Sequence, residues 1–141
     1  MRTCLYCLLM VLAFSACHDI KVGYLETENA IYVPDSLIIR LEPDVNLDYP
    51  RYIYESDWIS TGIQGVLGTA PINYRITNVR AEEGGDAEAM KESCTINGAG
   101  IFSVPYHHEL PIGTYYMSIE ISNGDHIYQF DDIFRIIIVE K

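Results

Sequence analysis

The feature of this sequence that most constrains its fold is an alternating segment in the last third of the chain. Every second residue there is apolar, and the residues between them are polar or carry a hydroxyl group; the apolar set is Tyr115, Met117, Ile119 and Ile121. Successive side chains of a β-strand point to opposite faces of a sheet, so the pattern predicts a strand with one buried face. Asn123-Gly124 follows directly and predicts a tight turn between antiparallel strands.

Short apolar segments separated by Pro, Gly, Asn and Asp extend this interpretation along the chain. We expect strands at 36–41, 72–76, 94–96, 101–104, 127–130 and 133–139, with extended pieces at 52–58 and 63–67. The apolar phase slips by one between Ile76 and Val79, which predicts a β-bulge near Thr77-Asn78. The only helix signal is Asp86, whose carboxylate can cap one or two turns through Met90. The spacing of the strands predicts an all-β sandwich or barrel.

The first 17 residues have the pattern of a bacterial secretion signal. Arg2 supplies a positive charge, residues 5–14 form an apolar run, and Ser15-Ala16 are small residues of the kind that a signal peptidase accepts before Cys17. The apolar run is too short to span a bilayer as a helix. This pattern predicts export, and it places a cysteine at the cleavage point.

The segment Phe14-Ser15-Ala16-Cys17 resembles the lipobox of Gram-negative lipoproteins, with Phe14 standing where Leu is usual. The resemblance implies that residues 1–16 are removed, that Cys17 is acylated, and that 17–30 tether the protein to the outer membrane. Several acyl chains would make this anchor stable. Periplasmic and cell-surface orientations both stay open. The alternative is an ordinary secretory peptide whose Cys17 remains a free or paired thiol.

Charge and cysteine content narrow the possible functions. The chain has 9 basic and 20 acidic residues, a net charge of −11, which disfavours nucleic acid as a partner because its phosphates need clustered Lys and Arg. Cys4 and Cys7 would leave with the signal peptide, so no intramolecular disulfide is expected. Cys94 has no base beside it in the sequence, and we interpret it as a small buried hydrophobic residue.

Three segments together resemble immunoglobulin-like and cadherin-like modules: 110–116 with the strand at 119–122, the turn at 96–101, and the strand at 71–76. The resemblance implies a single antiparallel β-sandwich of about seven strands over 31–141, with no cofactor. Single-domain lipoproteins of this type are similar to accessory surface proteins of Gram-negative glycan-uptake and adhesion systems. We place eight side chains in the core: Tyr74, Ile76, Phe102, Tyr115, Met117, Ile119, Ile136 and Ile138.

The densest aromatic group in the chain is Tyr49, Tyr52, Tyr54 and Trp58. If residues 52–58 are extended, Tyr52 and Tyr54 share one strand face. Exposed Tyr and Trp rings beside polar groups can stack on sugar rings or anchor a protein partner. The alternative is that these rings seal the edge of the sandwich.

A second candidate site is acidic. Asp44, Asn46 and Asp48 alternate, and Glu55 follows, which is the order of oxygen ligands in a calcium-binding loop. Tyr49 stands where such loops need Gly for a sharp turn. The alternative interpretation is an acidic surface loop.

The remaining titratable residues show no spacing that would bring them together in a catalytic or metal site. His107 and His108 are adjacent and would point apart on a strand, His126 lies beyond a turn, and the carboxylates of Asp131-Asp132 would diverge. We therefore expect a non-enzymatic, membrane-anchored binding or scaffold module whose partner is a glycan or an envelope protein. The alternatives are an accessory domain that only docks proteins, and a hydrolase with an unrecognised site.

Overall fold

The computed structural model describes residues 23–141. The signal peptide, Cys17 and the first part of the tether lie outside the described residues, and their assignments stay predictions. The described chain forms β1 (Leu25–Glu26), β2 (Ser36–Arg40), α1 (Tyr49–Tyr54), β3 (Trp58–Ile59), β4 (Leu67–Gly68), β5 (Asn73–Glu82), α2 (Ala87–Ser93), β6 (Thr95–Asn97), a 3₁₀ turn (Gly98–Gly100), β7 (Ile101–Val104), β8 (Gly113–Asn123) and β9 (His126–Val139).

These strands form two main sheets. One has four strands in the order β2-β9-β8-β5, the other has three in the order β3-β7-β6, and β1 pairs with β4 in a separate ribbon. Every pair is antiparallel except β2 and β9, which run parallel. The expectation of a wholly antiparallel sandwich is wrong at this pair. A parallel pair needs a long connection between its strands, and most of the domain separates β2 from β9.

The two main sheets share one core. Phe102 of β7 stacks on Phe134 of β9 at 5.1 Å between ring centres, and Tyr32 lies against both rings. Six of the side chains predicted for the core are buried: Phe102, Tyr115, Met117, Ile119, Ile136 and Ile138. Tyr74 and Ile76 are only partly buried and pack against the core, because β5 lies at a sheet edge and is covered by a neighbouring strand on one side only. Two layers joined by a common core make this an all-β sandwich.

Several local predictions are confirmed. The register between β5 and β8 shifts between Ile76 and Asn78, as a bulge requires. The Asp86 carboxylate accepts hydrogen bonds from the backbone N–H groups of Glu88 and Ala89, both at 3.1 Å, at the start of α2. The β8–β9 turn is tight, although its two loop residues are Gly124 and Asp125, one position later than expected.

Two other predictions are wrong. Segments 127–130 and 133–139 belong to one strand, β9, which is irregular near Asp132, where φ is 50° and the backbone N–H donates to Ser118 Oγ. Residues 49–54 are helical and not extended, since Pro50 favours a first helical turn and the Asp48 carbonyl accepts the Tyr52 N–H at 2.8 Å. Leu25, which precedes the domain start proposed at residue 31, is buried in the core cluster.

The two ends of the sandwich carry different elements. The β8–β9 turn marks one end, which we call the turn end. At the other, which we call the helix end, the parallel strands β2 and β9 finish at Arg40 and Val139, and α1 follows from β2. The 11 residues of β8 connect the two ends, a separation of about 35 Å at the rise of a β-strand. Neither helix in residues 23–141 combines the length and apolarity needed to cross a membrane.

Candidate functional site

Helix α1 is unusual because it buries none of its six residues. Tyr49, Tyr52 and Ile53 are 56%, 49% and 48% exposed, and Tyr54 is 75% exposed. Residues three and four apart lie side by side on a helix, so the first three form one face. We call these four side chains the aromatic surface. A short helix normally persists by packing an apolar face against the core, and α1 presents its apolar side chains to solvent instead.

The pairing expected within this group is wrong. Tyr52 and Tyr54 were expected on one strand face, but residues two apart on a helix point in widely different directions. Tyr52 therefore groups with Tyr49. The aromatic surface is a helix face with Tyr54 beside its C-terminal end, where Glu55 adopts a left-handed conformation and ends the helix.

Trp58 does not join the aromatic surface. It is 1% exposed and belongs to β3, so its ring cannot receive a ligand in this structure. The Arg51 guanidinium lies 4.9 Å from the centre of the Trp58 ring, within the range of a cation–π contact. Trp58 is therefore the residue against which α1 is attached, while the three tyrosines remain candidates for binding.

Polar contacts fix α1 at the helix end. The buried Asp48 carboxylate accepts two hydrogen bonds from Arg40 Nη1, at 3.0 and 3.2 Å, and one from the Asp44 backbone N–H at 3.0 Å. After the helix, Glu55 Oε2 lies 3.1 Å from His107 Nε2, and the Asp57 carboxylate accepts the Tyr106 N–H at 3.3 Å. The segment that carries α1 is thereby tied to β2 on one side and to the β7–β8 connection on the other.

The same contacts argue against the calcium site. Asp44 Oδ1 accepts the N–H groups of Asn46 and Leu47 at 2.7 and 3.0 Å, which lowers the pKa of the Asp44 carboxyl. Asp48 is neutralised by Arg40, and Glu55 faces His107. Among residues 23–141, no group of three or more His, Cys, Asp or Glu side chains could hold one metal ion. The acidic loop is organised by its own backbone and by an arginine.

The three histidines of the described chain do not form one site. His107 is exposed beside Glu55, whereas burial lowers the pKa of His108, whose Nδ1 accepts the Leu110 N–H at 3.3 Å. His126 lies at the turn end, with Nε2 3.3 Å from the Gly23 carbonyl oxygen. These positions do not converge on a common ligand.

Cys94 is buried, as predicted. Burial raises the pKa of its thiol to about 12, so at neutral pH it stays protonated. A protonated thiol is a poor nucleophile. Cys94 therefore acts as a core residue.

A cleft that no sequence pattern indicates lies beside the candidate site. It has a volume of about 180 Å³ and is lined by the end of β2 and the β7–β8 connection: Arg40, Leu41, Pro43, Tyr106, His107 and His108. These segments are far apart in the sequence, so no local pattern joins them. The Glu55–His107 contact links the cleft to α1. A larger cavity, about 340 Å³, lies beside β1 and β4 and is lined by Glu26, Glu28, Asn29, Gly65 and Leu67, with no aromatic ring.

No protein-family model matches the chain, and no curated protein resembles it at a significant level. Among solved structures, it is similar to a SusE-like surface located polysaccharide binding protein from the Bacteroides thetaiotaomicron heparin utilisation locus. The similarity has a TM-score of 0.40 and 16% identity over 57% of this chain, which spans 13% of that protein's length. At this level of similarity the neighbour does not assign a function to this chain.

Proposed function

We propose that this protein is a non-enzymatic, lipid-anchored binding module of the cell envelope, and that the aromatic surface of α1 binds a glycan. One observation carries the proposal: α1 buries none of its six residues and exposes three tyrosines at one end of the sandwich. A cluster of exposed large apolar side chains costs solubility without contributing to the core, and such clusters mark interaction sites.

The chemistry of the surface suits sugar rings. A tyrosine ring offers an apolar face for the C–H groups of a pyranose and a hydroxyl group for hydrogen bonding. Glu55, the residue after Tyr54 that ends the helix, contacts His107, and the two side chains supply polar atoms beside the helix C-terminus. A ligand that stacks on Tyr52 and bonds to this pair would use both kinds of group, which is the usual composition of a small-ligand site.

We also infer that the sandwich is of the immunoglobulin type. Two features support this. The strand orders β5-β8-β9 and β3-β7-β6 match the C-F-G and B-E-D arrangements of that fold. Near the start of β8, the Tyr115 hydroxyl donates to the Pro111 carbonyl oxygen at 2.7 Å, and Tyr115 precedes the buried Met117 by two residues, as in a tyrosine corner.

A protein partner is the second candidate, and a specific observation favours it. Val45, Leu47 and Ile53 are also exposed near the tyrosines, and Leu47 is 69% exposed. Aliphatic side chains contribute to protein interfaces through burial alone, whereas sugar rings gain most from flat aromatic faces. A docked protein would cover the aliphatic and aromatic side chains together.

A glycan array distinguishes the two candidates. The chain from residue 18, labelled and free of lipid, is applied to immobilised neutral and acidic polysaccharides, alongside a Tyr52→Ala, Tyr54→Ala double variant. Tyr116→Ala is the matched control, since Tyr116 lies on β8 beneath the Arg80 guanidinium. We expect binding that the double variant loses and the control keeps. Absence of binding to every glycan would overturn the glycan assignment, and crosslinking on intact cells would then identify a protein partner.

A further inference from the structure

The described chain enters the sandwich at the turn end. Asn123, the last residue of β8, donates from Nδ2 to the carbonyl oxygens of Tyr24 and Thr69. His126 Nε2 lies 3.3 Å from the Gly23 carbonyl oxygen. Asn123 is itself buried, so these bonds are part of the packed structure. The N-terminal segment is therefore fixed beside the β8–β9 turn.

The aromatic surface lies at the other end. β2 runs parallel to β9 and pairs Arg40 with Val139, and the Leu41 N–H continues the ladder by donating to the Val139 carbonyl oxygen. Helix α1 follows from this point and is tied back to Arg40 through Asp48. The length of β8, about 35 Å, thus separates α1 from the place where the chain enters.

The tether is shorter than this separation. Five residues lie between Cys17 and Gly23, so the two Cα atoms are at most about 20 Å apart when this segment is fully extended. A lipid on Cys17 would hold the turn end near the bilayer while α1 stays on the far side. The net charge of −11 also opposes contact of the whole domain with anionic headgroups.

We propose that the anchored protein presents its aromatic surface away from the membrane, so that α1 takes a ligand from the aqueous side. This inference rests on the lipid anchor of the proposed function. In this orientation α1 faces water, whereas an amphipathic membrane helix lies in the membrane interface. The ligand is then the glycan of the proposed function, which approaches from the side opposite the anchor.

Photocrosslinking in liposomes tests the orientation. The full chain, expressed in a Gram-negative host, is reconstituted in phosphatidylethanolamine and phosphatidylglycerol vesicles that contain a headgroup-diazirine phospholipid. After illumination, labelled peptides are mapped by mass spectrometry. We expect label in peptides that cover 23–28 and 123–127, and only background label in 49–54. Label in 49–54 equal to or above that at the turn end would overturn the inference.

Two further samples separate this inference from the anchor itself. In the first, the chain from Cys17 is coupled to a maleimide lipid, which selects Cys17 because Cys94 is buried; turn-end label is expected even if the host does not acylate the protein. In the second, the chain from residue 18 carries a cysteine added after Lys141, coupled to the same lipid. Since β9 finishes at the helix end, the label should now move to 49–54. Label that stays at the turn end in this sample would also contradict the proposed orientation.

Discussion

The Arg51 guanidinium lies 4.9 Å from the centre of the buried Trp58 ring, and this contact attaches an exposed helix to the core. Arg51 is only partly buried, but its Nε atom is buried without a hydrogen-bond partner in the described structure, so the ring face compensates only part of the cost of burying this nitrogen. The contact between Arg51 and Trp58 holds the helix on the core. The tyrosines of the helix make no part of this contact and stay exposed.

Arg51→Ala should loosen α1 without unfolding the sandwich. We expect the free energy of unfolding to fall by about 1 kcal/mol, the scale of a partly desolvated cation–π contact. Trp58 is the only tryptophan in the chain, so its fluorescence should become more accessible to acrylamide. Arg75→Ala is the control, because Arg75 is exposed and pairs with Glu120 on the four-stranded sheet. Unchanged quenching in Arg51→Ala would show that the contact does not hold the helix.

Asp48→Ala should destabilise the protein far more than Asp44→Ala. Asp48 is buried and accepts three hydrogen bonds, two of them from Arg40. Its removal leaves the Arg40 charge without a partner, which we expect to cost about 2–4 kcal/mol. Urea denaturation of both variants measures the difference. Equal stability of the two variants would refute the structural role of the Arg40–Asp48 pair.

The sequence predicted the strands of the core well because burial of one face leaves a period-two pattern. Met117 and Ile119 of β8 alternate with less apolar residues, and both are buried. The bulge at Thr77-Asn78 was predictable for the same reason, since a shift of one residue moves the apolar phase. Patterns of this kind are local and depend only on which side faces the core.

Helix α1 was not predictable in this way. Its conformation depends on Pro50 in the first turn and on contacts made by Asp48 and Arg51 with residues of other elements. A helix with no buried residue shows no apolar period, so the sequence pattern does not distinguish this segment from an extended piece. The burial of Trp58 likewise depends on β7, its partner strand, which lies far away in the sequence.

Truncating an isoleucine to alanine should lower the free energy of unfolding strongly in the buried face of β8 and little in the exposed part of β9. Ile119 is fully buried, and Ile119→Ala should lower the free energy of unfolding by about 2–5 kcal/mol through lost burial and the cavity left behind. Ile127 is exposed, so Ile127→Ala should change the free energy of unfolding by no more than about 0.5 kcal/mol. Thermal or urea denaturation provides the comparison. An Ile119→Ala protein as stable as the wild type would contradict the assigned core.

Alkaline pH should destabilise the fold partly through Cys94. Burial raises the pKa of its thiol from its ordinary value of 9.0 to about 12. Above pH 9 the unfolded chain loses this proton while the folded chain keeps it, so stability falls as the pH rises from 9 toward 12. Buried Tyr32, whose pKa is also raised, adds to the same trend. A Cys94→Ala variant, compared by urea denaturation at both ends of this range, should lose less stability than the wild type. An equal loss would exclude Cys94 as a cause.

Cys17 should carry the lipid anchor. Expression in a Gram-negative host with radiolabelled fatty acid should label the protein, and Cys17→Ala should abolish both the label and membrane association. The physical reason is that stable anchoring requires more than one acyl chain on the terminal cysteine. A protein that stays unlabelled, or whose label survives Cys17→Ala, would rule out this maturation.

A calorimetric titration shows whether the tyrosines of α1 bind a glycan. The titrant is the glycan that binds most strongly on the array, and the samples are the wild type, Tyr52→Ala and Tyr116→Ala. Loss of one stacking ring should weaken binding about tenfold, equivalent to roughly 1.4 kcal/mol. Circular dichroism confirms that each variant is folded. We predict a tenfold weaker affinity for Tyr52→Ala alone; an unchanged affinity in this variant, or an equal loss in Tyr116→Ala, would contradict the account.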